Sequence, residues 1–238
     1  VLEPLTGDSW GYRRKGRFSV RRVNKKDKTL VGFREQDPRF VADLGQCHTG
    51  IPQIGMKIQA LAALLAGLQA REQIPQIEFI AGDDAIALTV RHLAPLEEAD
   101  RVALAAFGHE HGFHIFLQSK GPDSVCALDG RLQGPAPALS FRLPQWDVEL
   151  AFEPLDFIQV NATLNQAMIA RALELLDAQA GERVLDLFCG LGNFTLPLAR
   201  GTAQVVGVEG DAGLVARARA NAQRNGLDNA QFFAADLT

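Results

Sequence analysis

The chain has 238 residues, a formal net charge of −4, 47% hydrophobic and 22% charged residues, a composition that gives a globular core in one or two domains. It contains no apolar run near the roughly 20 residues of a membrane span, and its start, Val-Leu-Glu-Pro, lacks the regions of a signal peptide. Three scattered cysteines, Cys47, Cys126 and Cys189, exclude a disulfide framework, so a reducing cytoplasm is the expected compartment.

The net charge hides an asymmetry. Between Arg13 and Lys28 lie nine basic residues and one acid, giving +8, whereas the remainder carries −12. A concentrated basic segment on an acidic chain is an electrostatic footprint for a polyanion. Residues 10–34 predict a hairpin: Phe18, Val20 and Val23 alternate partly, Asn24-Lys25-Lys26-Asp27 supplies turn residues, and Thr29 to Phe33 returns. Trp10 and Tyr12 beside the arginines can stack on exposed bases. The competing reading is a solvated ribbon whose charges guard an edge strand.

Residues 38–50 predict a strand and loop. Cys47-His48 lacks a second cysteine at ligand spacing, so the local sequence favours a free thiol. Residues 51–73 space Ile54, Ile58, Leu61, Leu64, Leu65 and Leu68 as one helix. A hairpin follows over 76–91, then a helix at 98–108 and a strand at 113–117. His109, His111 and His114 have no carboxylate or cysteine at coordinating spacing and read as surface residues at a helix end. Residues 121–150, rich in Gly and Pro, predict loops and short strands. The stretch Phe157-Ile158-Gln159-Val160-Asn161 predicts a strand end, with Asn161 capping a helix over 162–178 that Gly181 closes.

Next comes the stretch around which the chain is organised. Val184 to Phe188 is almost wholly apolar and predicts a parallel strand buried on both faces. Cys189-Gly190-Leu191-Gly192 turns sharply, and a helix begins near Asn193, aiming free N–H groups at the turn. A second strand, 204–209, ends in Glu209, where a carboxylate accepts hydrogen bonds from ribose hydroxyls. A third, 230–235, leads to Asp236. Ligands of open α/β sheets bind at such strand ends. Thr195 replaces the third glycine of a pyrophosphate fingerprint and no phosphate-loop lysine is present, which favours S-adenosyl-L-methionine over NAD. A purely structural strand–turn–helix is the alternative.

Asp156 to Asn161, Leu185 to Leu196 and Val206-Gly207-Val208-Glu209-Gly210, with Trp10-Gly11-Tyr12-Arg13-Arg14 and Val31-Gly32-Phe33-Arg34, resemble the RNA uracil-5-methyltransferase family, and within it the branch that makes 5-methyluridine in bacterial 23S ribosomal RNA. The resemblance covers essentially the whole chain. It implies an α/β protein: a central α+β domain (1–150) with the basic hairpin facing RNA, then the first half of a Rossmann-like S-adenosylmethionine-dependent methyltransferase domain (151–238). It implies that Gln159, Phe188, Asn193, Glu209 and Asp236 contact S-adenosylmethionine. Glu209 would hold the ribose, Asp236 the adenine amino group, and the turn with Gly190 and Gly192 the methionine part. Cys189 is then a packing residue.

The resemblance also implies a 4Fe-4S cluster held by three closely spaced upstream cysteines and Cys47. Those three are absent here, so Cys47 is a metal ligand only in a longer protein. The family mechanism adds a cysteine thiolate to C6 of a flipped-out uracil, methylates C5, and removes the C5 proton with a general base. The cysteine, the base and an N-terminal oligonucleotide-binding-like domain match nothing in this sequence. The expectation is a monomeric fragment, itself inactive, with no membrane contact and an apolar edge at strand 184–188. A non-catalytic RNA-binding module with a nucleotide-binding-like scaffold is the alternative.

Overall fold

Strand β1 (Lys15–Val23) buries Phe18 and Val20 on one side, and strand β2 (Lys28–Gly32) returns antiparallel to it with Val20 opposite Val31. Between them one 3-10 turn, Asn24–Lys26, ends at Asp27, whose left-handed backbone (φ 47°) suits a short side chain able to bond locally. The computed structural model describes residues 2–237, and the expected hairpin is present in it.

The expected strand over 38–50 is not. Its β pairing amounts to isolated bridges, Arg34 to Val41 and Arg13 to Gly50, and loop hydrogen bonds hold the rest. The long helix over 51–73 is also broken. It forms α1 (Pro52–Gly55) and α2 (Ile58–Gly67), separated at Met56 and Lys57. Its apolar period survives the break because Ile54, Ile58, Leu61, Leu65 and Leu68 all remain buried.

Strands β3 (Gln76–Ala81) and β4 (Ile86–Arg91) form the second hairpin. Helix α3 (Glu98–His111) then crosses to β5 (Phe113–Gln118), parallel to β4. Strand β6 (Val125–Ala127) and the single turn α4 (Gly130–Gln133) complete a six-stranded sheet of order β2-β1-β3-β4-β5-β6. Its core joins Phe18, Ile77, Phe79, Leu88 and Ile115 to Leu65 and Leu104 of the helices. Buried Asp100 of α3 accepts hydrogen bonds from the backbone of Gln69 and Ala70 (2.7 and 2.9 Å), tying down the end of α2.

The chain divides into two units, Asp8–Leu139 and one running from Ser140 onward together with the residues ahead of Asp8. The division falls ahead of position 150 because the hairpin of β7 (Leu139–Leu143) and β8 (Val148–Phe152) is captured by a later helix. Asn221 and Asn225, one turn apart on α7 (Ala212–Arg224) and at its end, bond the backbone of Ala151 and Glu149. Each side-chain amide donates to a carbonyl and accepts from an N–H at 2.7–3.0 Å, as a neighbouring strand would.

The second unit continues with α5 (Ala162–Leu176), capped by the Asn161 side chain accepting from the N–H of Leu164. It ends at left-handed Asp177 (φ 47°), not at Gly181. Then β9 (Arg183–Leu187), α6 (Thr195–Ala199), β10 (Gln204–Glu209), α7 and β11 (Ala230–Ala234) form a parallel sheet of order β11-β10-β9. Strand β9 is not buried on both faces: Leu185 and Leu187 are 60% and 50% exposed. It is an edge strand, and α6 and α7 pack on β10 and β11.

Candidate functional site

Three parallel strands bring their carboxyl ends side by side, with Leu187 opposite Val208 and Glu209 opposite Ala234. Phe188 leaves β9 in the left-handed region (φ 60°) with its side chain 65% exposed. A bulky residue in that conformation is an outlier that surrounding structure must hold. Gly190 (φ 54°) and Gly192 (φ 93°) complete the turn, and a Cβ at Gly190 would meet nothing within 4 Å. Backbone angle, not crowding, requires glycine there.

Glu209 is bound into this turn. One carboxylate oxygen accepts from the N–H of Gly190 (3.1 Å), the other from those of Gly210 (2.8 Å) and Asp211 (3.2 Å). These donors fix the carboxylate between the turn and the start of α7. Since a carboxylate offers about four acceptor positions, capacity remains for a hydroxyl donor. Ala235 donates to the Glu209 carbonyl (3.0 Å), which places exposed Asp236 beside the same strand end. The glycine turn, Glu209 and Asp236 thus share one rim.

Asn193 is fixed by a residue that sequence reasoning missed. Its side-chain amide and that of Asn165, on α5, each donate to the other at 2.9 Å. Asn165 is 2% exposed. The reciprocal pair gives the buried Asn165 amide its partner and holds half-buried Asn193 at the turn.

The stretch 157–161 is irregular chain instead of the expected strand end. Ile158 is buried and Phe157 is 69% exposed. Buried Asp156 anchors the loop, accepting from Arg217 (2.6 Å) and from the N–H of Glu153 (2.7 Å). Burial pushes the Asp156 carboxyl above its ordinary value, while Glu153 and Arg217 pull it back. Gln159 thus sits on a loop tied to α7 and followed directly by the cap of α5.

Beneath the turn, Asp186 accepts from the Thr195 hydroxyl (2.6 Å), and burial raises its pKa against that hydrogen bond. The Cys189 thiol is pushed up to about 12 by burial and by the negative charges of Asp186 and Glu209. A thiol so shifted is no nucleophile near neutral pH. Its sulfur is 2.9 Å from where a Cβ on Gly207 would stand, so it packs against bare β10 backbone. Because the folded pKa of Asp186 lies above its unfolded value, its stabilising share is complete below the unfolded value and lost as pH rises through the folded one. Asp186→Asn is therefore expected to match or exceed wild-type stability at pH 7. Its advantage should shrink as pH falls towards 4, measured by urea denaturation at stepped pH.

The basic hairpin is partly neutralised. Arg14 is buried, with its pKa lowered to about 10 by burial, while Arg17, Arg22 and Lys28 pair with Glu78, Asp27 and Asp43. Trp10 is 69% exposed, its ring edge-on to His48. Cys47 is a buried free thiol 3.2 Å from the Thr49 hydroxyl, and among the described residues no three His, Cys, Asp or Glu side chains are grouped to hold a metal. His111 is not a surface residue, since it packs between the rings of Phe107 (4.4 Å) and Phe113 (6.1 Å). His109 contacts the Leu132 carbonyl at 2.9 Å. No helix among the described residues is long and apolar enough to cross a membrane.

A family described as tRNA (Uracil-5-)-methyltransferase matches residues 12–236. The 23S rRNA (uracil(1939)-C(5))-methyltransferase RlmD of Xanthomonas axonopodis pv. citri is 73% identical over 238 residues, covering 100% of this chain and 53% of that protein. The protein of the same name from Stenotrophomonas maltophilia (strain K279a) is 72% identical with the same coverage. The chain thus spans about half the length of the curated relatives it matches. Among solved structures, Pyrococcus abyssi tRNA (uracil-54, C5)-methyltransferase in complex with S-adenosyl-L-homocysteine is similar at a TM-score of 0.67 and 18% identity, over 96% of this chain and 56% of that one. That likeness shows the fold, an α+β unit followed by the first strands of a Rossmann-like parallel sheet. The match over residues 12–236 and the identity along the whole chain establish that the chain belongs to the tRNA (uracil-5-)-methyltransferase family.

Proposed function

We propose that the protein to which this chain belongs transfers a methyl group from S-adenosylmethionine to C5 of a uridine in 23S ribosomal RNA. The observation that carries the reading is the 73% identity, along all 238 residues, to a protein named for that reaction. The site fits the donor: a carboxylate fixed by three N–H groups beside a glycine turn, at a parallel strand end, suits an adenosine ribose. S-adenosylmethionine supplies an electrophilic methyl on sulfonium sulfur. Glu209 orients the ribose, the turn at Gly190 and Gly192 lies against the methionine part, Asp236 takes the adenine amino group, and Phe188, Gln159 and Asn193 line the remainder. The hairpin Arg13–Lys28 contributes positive potential towards RNA phosphates. The protein works as a monomer in the cytoplasm.

An iron–sulfur cluster does not fit this chain, because three cysteines in total cannot supply four thiolates. Cys47 becomes a cluster ligand only alongside cysteines from beyond this sequence.

The test is methyl transfer from labelled S-adenosylmethionine by the full-length protein to unmodified 23S ribosomal RNA. Label in 5-methyluridine after nucleoside digestion is the expected result. Binding of RNA with no binding of S-adenosylmethionine would instead leave a non-catalytic RNA module.

A further inference from the structure

The outer face of the first hairpin forms a cavity of about 560 Å³ that the methyl-donor site does not use. Its floor is Val23 and Leu30, half-buried side chains on β1 and β2 facing away from the Phe18 core. Arg21 and Lys26 stand at its rim, both exposed, and Glu35 and Phe40 close it from the loop that follows β2. That volume accommodates one nucleotide comfortably.

Phe40 is 53% exposed, yet its loop is held in place. Its N–H donates to the Asp37 carbonyl (3.0 Å), its own carbonyl accepts from Glu35 (3.1 Å), and Ala42 donates to Phe33 (2.9 Å). The Arg21 guanidinium donates to the Arg39 carbonyl, and Lys28 pairs with Asp43 (2.5 Å), so both hairpin strands clamp the loop. A rigidly presented, solvent-facing aromatic ring beside cations and over an apolar floor is what a splayed-out base requires.

We infer that this cavity is a second RNA subsite, binding one unpaired nucleotide with its base on Phe40 and its phosphate at Arg21 and Lys26. Glu35 accepts a hydrogen bond from the base edge, which favours bases bearing an exocyclic amine over uracil. The subsite grips RNA at a nucleotide other than the methylated one. The inference rests on the proposed RNA substrate, and an acidic peptide is the competing occupant.

The test uses the full-length protein and single-stranded RNA 12-mers containing 2-aminopurine, read by fluorescence quenching and by anisotropy across salt concentrations. Wild type should quench on binding. Phe40→Leu should lose the quenching and bind about 10-fold more weakly, as expected for one lost stacking contact. Phe40→Trp should restore both. Lys26→Ala should flatten the salt dependence by about one charge while quenching persists at saturation. Quenching and affinity unchanged in Phe40→Leu, with wild type still binding RNA, would overturn the subsite and leave the RNA reading intact. No RNA binding by wild type would remove both. Loss of poly-glutamate peptide binding in these variants, with RNA binding unchanged, would assign the cavity to an acidic peptide instead.

Discussion

Glu209→Ala in the full-length protein is expected to weaken S-adenosylmethionine binding about 100-fold, measured by calorimetry. Hydrogen bonds to a charged group are worth about 1.5–3 kcal/mol each, so losing the ribose contacts costs roughly 3 kcal/mol, which is about 100-fold in Kd. The substitution also releases the N–H of Gly190, which the carboxylate holds at 3.1 Å, so the turn loses its brace along with the ligand contact. Glu209→Gln should be nearly as poor, because its amide nitrogen must face one of the N–H donors at Gly190, Gly210 or Asp211. An alanine variant that is folded by circular dichroism and binds within threefold of wild type would falsify the ribose assignment.

The second large effect is on stability. Asn221→Leu should destabilise the second unit by about 3 kcal/mol, since each buried polar group left unsatisfied costs roughly 1–3 kcal/mol. The side chain is 1% exposed and serves three backbone groups: the N–H and carbonyl of Ala151 and, at 3.3 Å, the carbonyl of Leu191 in the glycine turn. Leucine fills a similar volume and satisfies none of them. The melting temperature should fall by roughly 6–12 °C. Hydrogen exchange should rise at both Ala151 and the turn, and faster exchange at β8 alone would show that the Leu191 contact carries nothing.

What was legible in the sequence was local. Asn24 to Asp27 announced its turn, Asn161 its cap, and the apolar runs ending near Phe188, Glu209 and Ala234 announced the parallel strands. What was not legible depends on partners distant in the chain. Asn165 sits at an unremarkable polar position until the fold brings it to Asn193. Asn221 and Asn225 look like surface residues of a polar helix, and their role as a false strand exists only once β8 lies beside them. The break at Met56 and Lys57 leaves helical period intact, so periodicity could not reveal it. His111 reads as surface from its place at a helix end without ligand partners at coordinating spacing, whereas its ring faces Phe107 and Phe113 in space.

Phe188 sets the requirements of folding and of ligand binding against each other. Its left-handed backbone costs on the order of 1–3 kcal/mol, and an exposed ring returns almost none of that through packing. Selection for the fold alone would put glycine or asparagine there. On the proposed reading, a methyl donor seated at the turn would supply the packing that this ring lacks, so Phe188 would couple the strain of the turn to ligand binding.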